Sequence, residues 1–177
     1  YKNVVVNGLV LAEDGQKMSK SKKNYPDLRL VLDKYGADAL RFFLVSSPVV
    51  KAQDVKFSEK GVDDIVKKNI GRLNNVLSFY EIYNTQASLD DIVSKNILDL
   101  WIISKLNKLN KTITDNLDKY EIDKAARPIS DFIDDLSVWY LRRSRDRFKS
   151  EDVSEKTEVL STTRKVLIDF AKLIAPF

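Results

Sequence analysis

Residues 98–117, LDLWIISKLNKLNKTITDNL, carry apolar side chains at spacings of three and four. The recurring positions are Leu98, Ile102, Leu106, Leu109, Ile113 and Leu117. Because an α-helix turns once in about 3.6 residues, this spacing puts all of them on one helical face. The segment therefore predicts a long amphipathic helix that must bury this face against other elements.

Apolar side chains repeat in the same way on both sides of this helix. The pattern predicts a helix over about residues 59–83, with Ser58 as its N-cap. It predicts another from Ile122 to about residue 148 and a last one over about residues 154–174. Four amphipathic helices joined by loops of a few residues predict an antiparallel bundle.

Single residues add detail to the predicted bundle. Ser88 or Asp90 is the expected N-cap of the helix that contains residues 98–117. Pro128 is expected to kink the third helix or to mark an N-terminal turn, because proline lacks an amide hydrogen. Trp139 continues the apolar pattern of that helix, so it is interpreted as a core residue, as is Phe148, with a base-stacking platform as the alternative for both.

The first 71 residues differ from the rest because they contain all five glycines of the chain. A turn at Asp14-Gly15 predicts a β-hairpin that pairs residues 9–11 with residues 16–18. Asn7-Gly8 is the alternative position for this turn. Residues 49–58 are interpreted as irregular, because Pro48 breaks the preceding pattern.

Two short helices are predicted between the hairpin and the bundle, over about residues 26–35 and 37–46, with Gly36 ending the first. The predicted fold is therefore mainly α, with a short N-terminal β-hairpin and loop followed by an antiparallel helical bundle. We expect two parts, residues 1–50 and residues 51–177.

The 177-residue chain contains no histidine and no cysteine. This excludes Ser–His–Asp and Cys–His nucleophilic sites, zinc sites built from either residue, iron–sulfur clusters and disulfides. The Asp-Asp pairs at 63–64, 90–91 and 134–135 diverge by about 100° on a helix, so no metal site is predicted. Any chemistry must use lysine, arginine, carboxylate or hydroxyl side chains.

The net charge of +4 is compatible with a polyanionic partner. No run of eighteen apolar residues is present, so no membrane partner is predicted. The N-terminus lacks the basic residues followed by an apolar run that are typical of a signal peptide. We expect the protein to be cytoplasmic and monomeric. The chain begins with Tyr1 and not with methionine, and we expect both of its ends to be cut from a longer protein.

Residues 17–23, KMSKSKK, place four lysines between the predicted hairpin and the first helix. A lysine ammonium is a compact charge that can follow moving phosphate oxygens. Where pyrophosphate leaves an α-phosphate, one well-placed donor contributes about 3–4 kcal/mol to stabilising the transition state. Ser19 and Ser21 can add neutral hydrogen bonds. The alternative interpretation is a solvated loop with no ligand.

The string Lys17-Met18-Ser19-Lys20-Ser21 matches all five positions of the second signature motif of class I aminoacyl-tRNA synthetases. Its surroundings resemble the isoleucyl-tRNA synthetases within that class. The matching segments are VNGLVLAEDG (6–15), KNYPD (23–27), KYGADALR (34–41), SPVVKA (47–52) and WYLRRSRDRF (139–148). The resemblance covers nearly the whole chain, with several motifs in the family's order.

The resemblance implies an isoleucine–tRNA ligase, which makes isoleucyl-tRNA through an isoleucyl-adenylate and releases AMP and pyrophosphate. It implies that residues 17–21 bind ATP, supplied with Mg²⁺, and that Lys20 and then Lys17 assist adenylate formation. The loop is expected to close over ATP and reopen. The bundle would be of the class Ia anticodon-binding type, with the isoleucine tRNA as its partner.

The sequence also departs from the family's pattern. Lys22 stands where many class I enzymes have leucine, and Lys51 and Gln53 replace residues that are often arginine and glutamate. The family's other signature contains two histidines, and this chain has none. The isolated chain is therefore predicted to catalyse neither aminoacylation nor ATP–pyrophosphate exchange and to bind no cofactor alone.

Residues 139–148 place four arginines beside aromatic residues, and these arginines could contact tRNA phosphates: Arg142, Arg143, Arg145 and Arg147. The alternative is salt bridges to nearby carboxylates, namely Asp131, Asp134, Asp135 and Asp146. A basic stripe at Lys105, Lys108 and Lys111 is a further candidate for tRNA contact, with a solvated helix face as the alternative.

Three rival interpretations stay open. The chain could belong to a valyl- or leucyl-tRNA synthetase, because Ser47-Pro48-Val49-Val50 favours the isoleucyl enzymes only by family signature. It could be a non-enzymatic tRNA-binding helical module that retains the loop. It could also be a bundle whose basic patches serve only solubility.

Overall fold

The computed structural model describes residues 2–84 and 94–177. The chain divides into two compact units: unit 1 contains Tyr1–Ile70, Thr112–Pro128 and Phe177, and unit 2 contains Gly71–Lys111 and Ile129–Pro176. The division predicted at residues 50 and 51 stays a prediction. No helix in the described part of the chain is long and apolar enough to cross a membrane.

Helices dominate the described residues, which confirms the predicted fold class. The α-helices are α1 (Leu28–Tyr35), α2 (Ala37–Val45), α3 (Glu59–Ile65), α4 (Gly71–Tyr83), α5 (Ile97–Leu117), α6 (Ile122–Asp134), α7 (Arg142–Phe148) and α8 (Val153–Ile174). A 3₁₀ turn spans Pro48–Lys51, and π-helical segments span Val66–Ile70 and Asp135–Leu141. The strands are β1 (Val10–Leu11) and β2 (Val55–Lys56).

The two short helices of unit 1 begin and end close to where the sequence predicts. The Asp27 carboxylate caps α1 by accepting from the Arg29 amide. Gly36 ends α1 with a φ of 82°, a conformation that glycine adopts without a steric penalty. Unit 1 has a core of Val31, Ala39, Phe57 and Val62, and Met18 packs against it.

The predicted hairpin is only partly correct. The turn at Asp14-Gly15 is present, since the Ala12 amide donates to the Gln16 carbonyl over 2.9 Å. The antiparallel pairing amounts to one bridge, Leu11 with Lys17. Instead, β1 pairs in parallel with β2, which lies in the segment predicted to be irregular.

Gly8 shows why the alternative turn does not form. Its amide donates to the Val49 carbonyl over 2.8 Å. A Cβ at this position would lie 2.1 Å from the Gln53 carbonyl oxygen, so only glycine allows the two backbones to approach this closely. Gly8 therefore serves the packing against residues 49–53 that brings β2 beside β1.

The predicted helix over 59–83 is confirmed in its bounds, and the Ser58 hydroxyl caps it by accepting from the Gly61 amide. The first π-helical segment, Val66–Ile70, interrupts this helix.

Helix α5 is also confirmed, and it buries Ile102, Leu106, Leu109 and Ile113. Ser88 and Asp90 lie outside the described residues. At the start of α5, as the structure describes it, the Asn96 carboxamide oxygen accepts a hydrogen bond from the Leu98 amide.

The third bundle helix runs from Ile122 to Phe148 through the second π-helical segment. Pro128 lies inside α6, which continues to Asp134. Phe148 is buried as predicted, whereas Trp139 is 48% exposed, so its predicted core position is wrong. The wider turn of the π-helical segment explains the exposure of Trp139. The buried residues of this segment are Leu136, Tyr140 and Leu141, so the next buried position after Leu136 is four residues on and not three.

Lys51 connects the 3₁₀ turn to the start of α6 within unit 1. Its ammonium lies 2.8 Å from Glu121 Oε2 and 3.2 Å from Asp123 Oδ1. Lys124 also pairs with Glu121, and Arg127 also pairs with Asp123. Hydrogen bonds from Lys124 and Lys51 lower the Glu121 pKa from 4.5 to about 2.

This low pKa predicts a pH-dependent stability. Because the folded pKa of Glu121 lies below its unfolded value, its ion pairs stabilise the fold above about pH 4.5 and are lost as the pH falls towards 2. We expect Glu121→Gln to lower the midpoint of thermal unfolding at about pH 7 and to have a much smaller effect near pH 2, where the Glu121 carboxylate becomes protonated in the folded chain. Glu81→Gln, at an exposed position on α4, is the control. A Glu121→Gln effect that is independent of pH would contradict the assignment.

Candidate functional site

The lysine-rich loop is held in shape by Asn24, which lies just after it. The Ser19 amide donates to Asn24 Oδ1 over 2.9 Å, and Asn24 Nδ2 donates to the Lys17 carbonyl over 3.2 Å. The Lys23 amide donates to the Ser19 carbonyl over 3.1 Å. These bonds close the backbone of residues 17–24 into a compact turn.

The hydroxyls and one lysine of the loop are also bonded within it. Ser19 Oγ and Ser21 Oγ lie 3.1 Å apart, and the Lys22 amide donates to Ser19 Oγ over 3.2 Å. The Lys22 ammonium donates to Gln16 Oε1 over 2.8 Å. Lys22 is thereby drawn back to the turn before the loop.

Met18 attaches the loop to the core of unit 1. Its side chain packs against the cluster that contains Val31 and Phe57. It also lines an apolar cavity of about 340 Å³, with Val10, Tyr25, Pro26, Leu28, Leu40, Leu44 and Phe57. The side chain of Met18 therefore acts as an apolar anchor for the residues on either side of it.

Lys17 and Lys20 are the loop lysines nearest to this anchor, and both are exposed. Among residues 2–84 and 94–177, neither ammonium has a hydrogen-bond or ion-pair partner. A fixed backbone thus presents two unpaired ammonium groups to solvent. This arrangement suits the binding of a polyanion such as a triphosphate.

The basic segment at the end of the third bundle helix contains three exposed arginines, Arg142, Arg143 and Arg145. The Arg143 guanidinium lies 4.5 Å from the Trp139 ring centroid, and that of Arg145 lies 5.9 Å from the Phe79 ring. A cavity of about 660 Å³ is lined by Val138, Trp139, Arg142, Arg143 and Asp146. The segment combines exposed positive charge with an accessible aromatic ring.

Arg147 differs from these neighbours because it is only 7% exposed. Its guanidinium donates two hydrogen bonds to the Asp99 carboxylate, over 2.7 and 2.8 Å. The Tyr140 hydroxyl donates to Asp99 Oδ1 over 2.8 Å. Arg147 is thus committed to a buried ion pair, and the structure gives no support to its predicted role in tRNA contact.

Two of the four carboxylates expected to pair with the arginines instead pair elsewhere. Asp134 pairs with Arg72, and Asp135 lies 2.8 Å from the Lys105 ammonium. Lys105 also lies 5.4 Å from the Trp101 ring, while Lys108 and Lys111 are exposed. In the described part of the chain, no group of three or more acidic side chains could hold a metal ion.

Two family models match this chain. Residues 1–58 match the class I tRNA synthetases of the I, L, M and V types, and residues 99–177 match the anticodon-binding domain of tRNA ligases. The chain belongs to the class I tRNA synthetases. The lysine-rich loop lies within the first match, and the arginine-rich segment lies within the second.

Curated synthetases align over the whole chain. An isoleucine–tRNA ligase of Chlamydia trachomatis serovar A is 45% identical over 182 residues, and one of Bdellovibrio bacteriovorus is 48% identical over 185. Each alignment covers 100% of this chain but only 18% and 17% of those ligases. The chain therefore spans about a fifth of the length of these class I relatives.

A solved synthetase structure shares the fold. It is the LeuRS–tRNA–LeuAMS ternary complex of Agrobacterium radiobacter K84, with a TM-score of 0.69 over 96% of this chain and 20% of that chain. Sequence identity is 19%, so the likeness concerns the fold alone. It agrees with the helical architecture described above.

Proposed function

We propose that this chain forms part of an isoleucine–tRNA ligase, in which it supplies a loop that binds ATP phosphates and a bundle that binds tRNA. The observation that carries this proposal is the intact motif Lys17–Ser21, held in a closed turn with Lys17 and Lys20 unpaired within the described residues. The isoleucine–tRNA ligases that align over the whole chain support the choice of amino acid.

Class I tRNA synthetases use ATP, and the loop geometry suits its phosphates. Lys17 and Lys20 can donate to the oxygens that gain negative charge as pyrophosphate leaves the α-phosphate. Exposed lysines gain strength as donors when the loop closes and excludes water. We propose that Mg²⁺ is bound together with the ATP phosphates in the whole ligase.

The proposed tRNA surface lies on unit 2 and has Arg142, Arg143 and Arg145 at its centre. Their exposed guanidinium groups can bind phosphates with two parallel hydrogen bonds. Lys105 and Lys108 of α5 are further candidates for this surface, and the Lys105 ammonium lies 2.8 Å from Asp135 Oδ2. Arg147 is left out of this surface, since Asp99 holds it in the core.

Arg143→Ala tests the tRNA surface. We expect it to weaken tRNA binding and to lower the slope of log affinity against log salt by about one, as for one lost phosphate contact. Filter binding of the isoleucine tRNA over a salt series measures both. In the full-length enzyme, the same change should raise the KM for tRNA and leave ATP–pyrophosphate exchange intact.

Arg164→Ala is the matched control, because Arg164 is an exposed arginine of α8 outside the proposed surface. It should leave the salt slope unchanged. If Arg143→Ala behaves like this control, or if it abolishes pyrophosphate exchange, Arg143 does not contact tRNA as proposed.

A further inference from the structure

Trp139 has an unusual position for the largest apolar side chain of a bundle helix. It is 48% exposed, although the adjacent Tyr140 is fully buried. The π-helical segment Asp135–Leu141 causes this, because its wider turn moves Trp139 off the buried face. Single π-helical turns inside α-helices are frequently found at functional sites.

The surroundings of Trp139 point to an anionic ligand that also has a flat face. Arg143 stacks on the indole at 4.5 Å, and Arg142 lines the same cavity of about 660 Å³. In the described part of the chain, neither arginine forms a salt bridge with a carboxylate, and Asp146 is the one acidic residue lining the cavity. The site therefore combines an aromatic platform with two guanidinium groups.

We propose that Trp139 is a stacking platform for an unpaired RNA base, whose flanking phosphates are bound by Arg142 and Arg143. This proposal rests on the proposed tRNA-binding role of the bundle and names the part of RNA that this surface takes. Every base has a π-face, so stacking on an aromatic side chain tolerates different bases.

An unpaired base fits this site better than a duplex does. Bases in an RNA duplex are stacked on each other, and the deep, narrow major groove keeps side chains away from them. Bases in a loop can splay out and reach an aromatic ring. Phosphate contacts alone would make no use of the exposed indole ring.

The chain allows a direct optical test because it contains only two tryptophans, Trp101 and Trp139. In a Trp101→Phe variant of the whole chain, tryptophan fluorescence reports on Trp139 alone. The variant is titrated with an RNA hairpin that has an unpaired loop and with a blunt RNA duplex of equal length. We expect the hairpin to quench the fluorescence and the duplex to leave it nearly unchanged.

Substitutions of Trp139 separate stacking from charge. We expect Trp139→Ala to weaken hairpin binding by about tenfold, as for one lost base–aromatic stack, and duplex binding by less than about twofold. Trp139→Phe should recover most of the hairpin affinity, since phenylalanine keeps the flat face. Thermal unfolding of each variant establishes that the fold is retained.

The outcomes distinguish this proposal from the one on which it rests. If hairpin and duplex bind equally and without quenching, the bundle binds RNA through phosphates alone and the stacking proposal is wrong. If neither RNA binds, both proposals fail, and a protein partner becomes the better interpretation of the exposed ring. Arg142→Gln with Arg143→Gln should weaken both RNAs, which a role for Trp139 alone would not cause.

Discussion

We expect Asp99→Ala to lower the free energy of unfolding by about 3–5 kcal/mol, which is a large part of the stability of a domain of this size. Asp99 is fully buried and accepts hydrogen bonds from both Arg147 and Tyr140. Removing its carboxylate leaves the Arg147 guanidinium charged inside unit 2 without either of its short hydrogen bonds to a carboxylate, and Glu155 Oε1 lies farther off, 3.7 Å from Arg147 Nε. Denaturant unfolding of the 177-residue chain, followed by circular dichroism, measures the loss.

Asp134→Ala provides the matched control for this experiment. Asp134 also forms a salt bridge with an arginine, Arg72, but it is exposed. Exposed pairs contribute at most about 1 kcal/mol, so this change should be nearly neutral. If Asp99→Ala costs no more than Asp134→Ala, the buried ion pair is not what holds α7 against α5 in unit 2.

The second large effect concerns the loop. In the full-length enzyme, we expect Lys20→Ala to slow isoleucyl-adenylate formation by about 10²–10³-fold, as for other single donors that stabilise transition-state charge. Isoleucine binding should change little, because the proposed contact is with ATP phosphates that gain charge during the reaction. Isoleucine-dependent ATP–pyrophosphate exchange measures the rate.

Lys22→Ala is the control, because Lys22 lies two residues further along and donates to Gln16. We expect it to lower the exchange rate by less than about threefold. Equal losses of exchange rate and isoleucine affinity in Lys20→Ala would contradict a role in the transition state. Equal effects of Lys20→Ala and Lys22→Ala would instead indicate a diffuse charge effect.

Most of the helical fold follows from local sequence patterns. The apolar spacing predicts α5, and the caps Asp27 and Ser58 mark the starts of α1 and α3. The pairing of β1 with β2 is different, because each strand has two residues and the paired residues are 45 positions apart. Neither strand carries an alternation long enough to show a pairing partner.

The candidate sites are likewise predicted only in part by the sequence. The loop motif is visible as a string of residues, but the anchoring by Met18 and the bonds of Asn24 depend on the folded chain. The π-helical segment shifts the buried face by one residue, so helical spacing places Trp139 inside. Asp99 and Arg147 are 48 residues apart, so no local pattern in the sequence predicts their buried ion pair.

The central claim is that this chain belongs to a ligase that activates isoleucine. It is tested most directly by ATP–pyrophosphate exchange in the full-length enzyme, measured separately with isoleucine, valine and leucine at equal concentrations. We expect isoleucine to support exchange at least about tenfold better, in kcat/KM, than either of the others. Exchange that valine or leucine supports better, or the absence of exchange with all three amino acids, would contradict it.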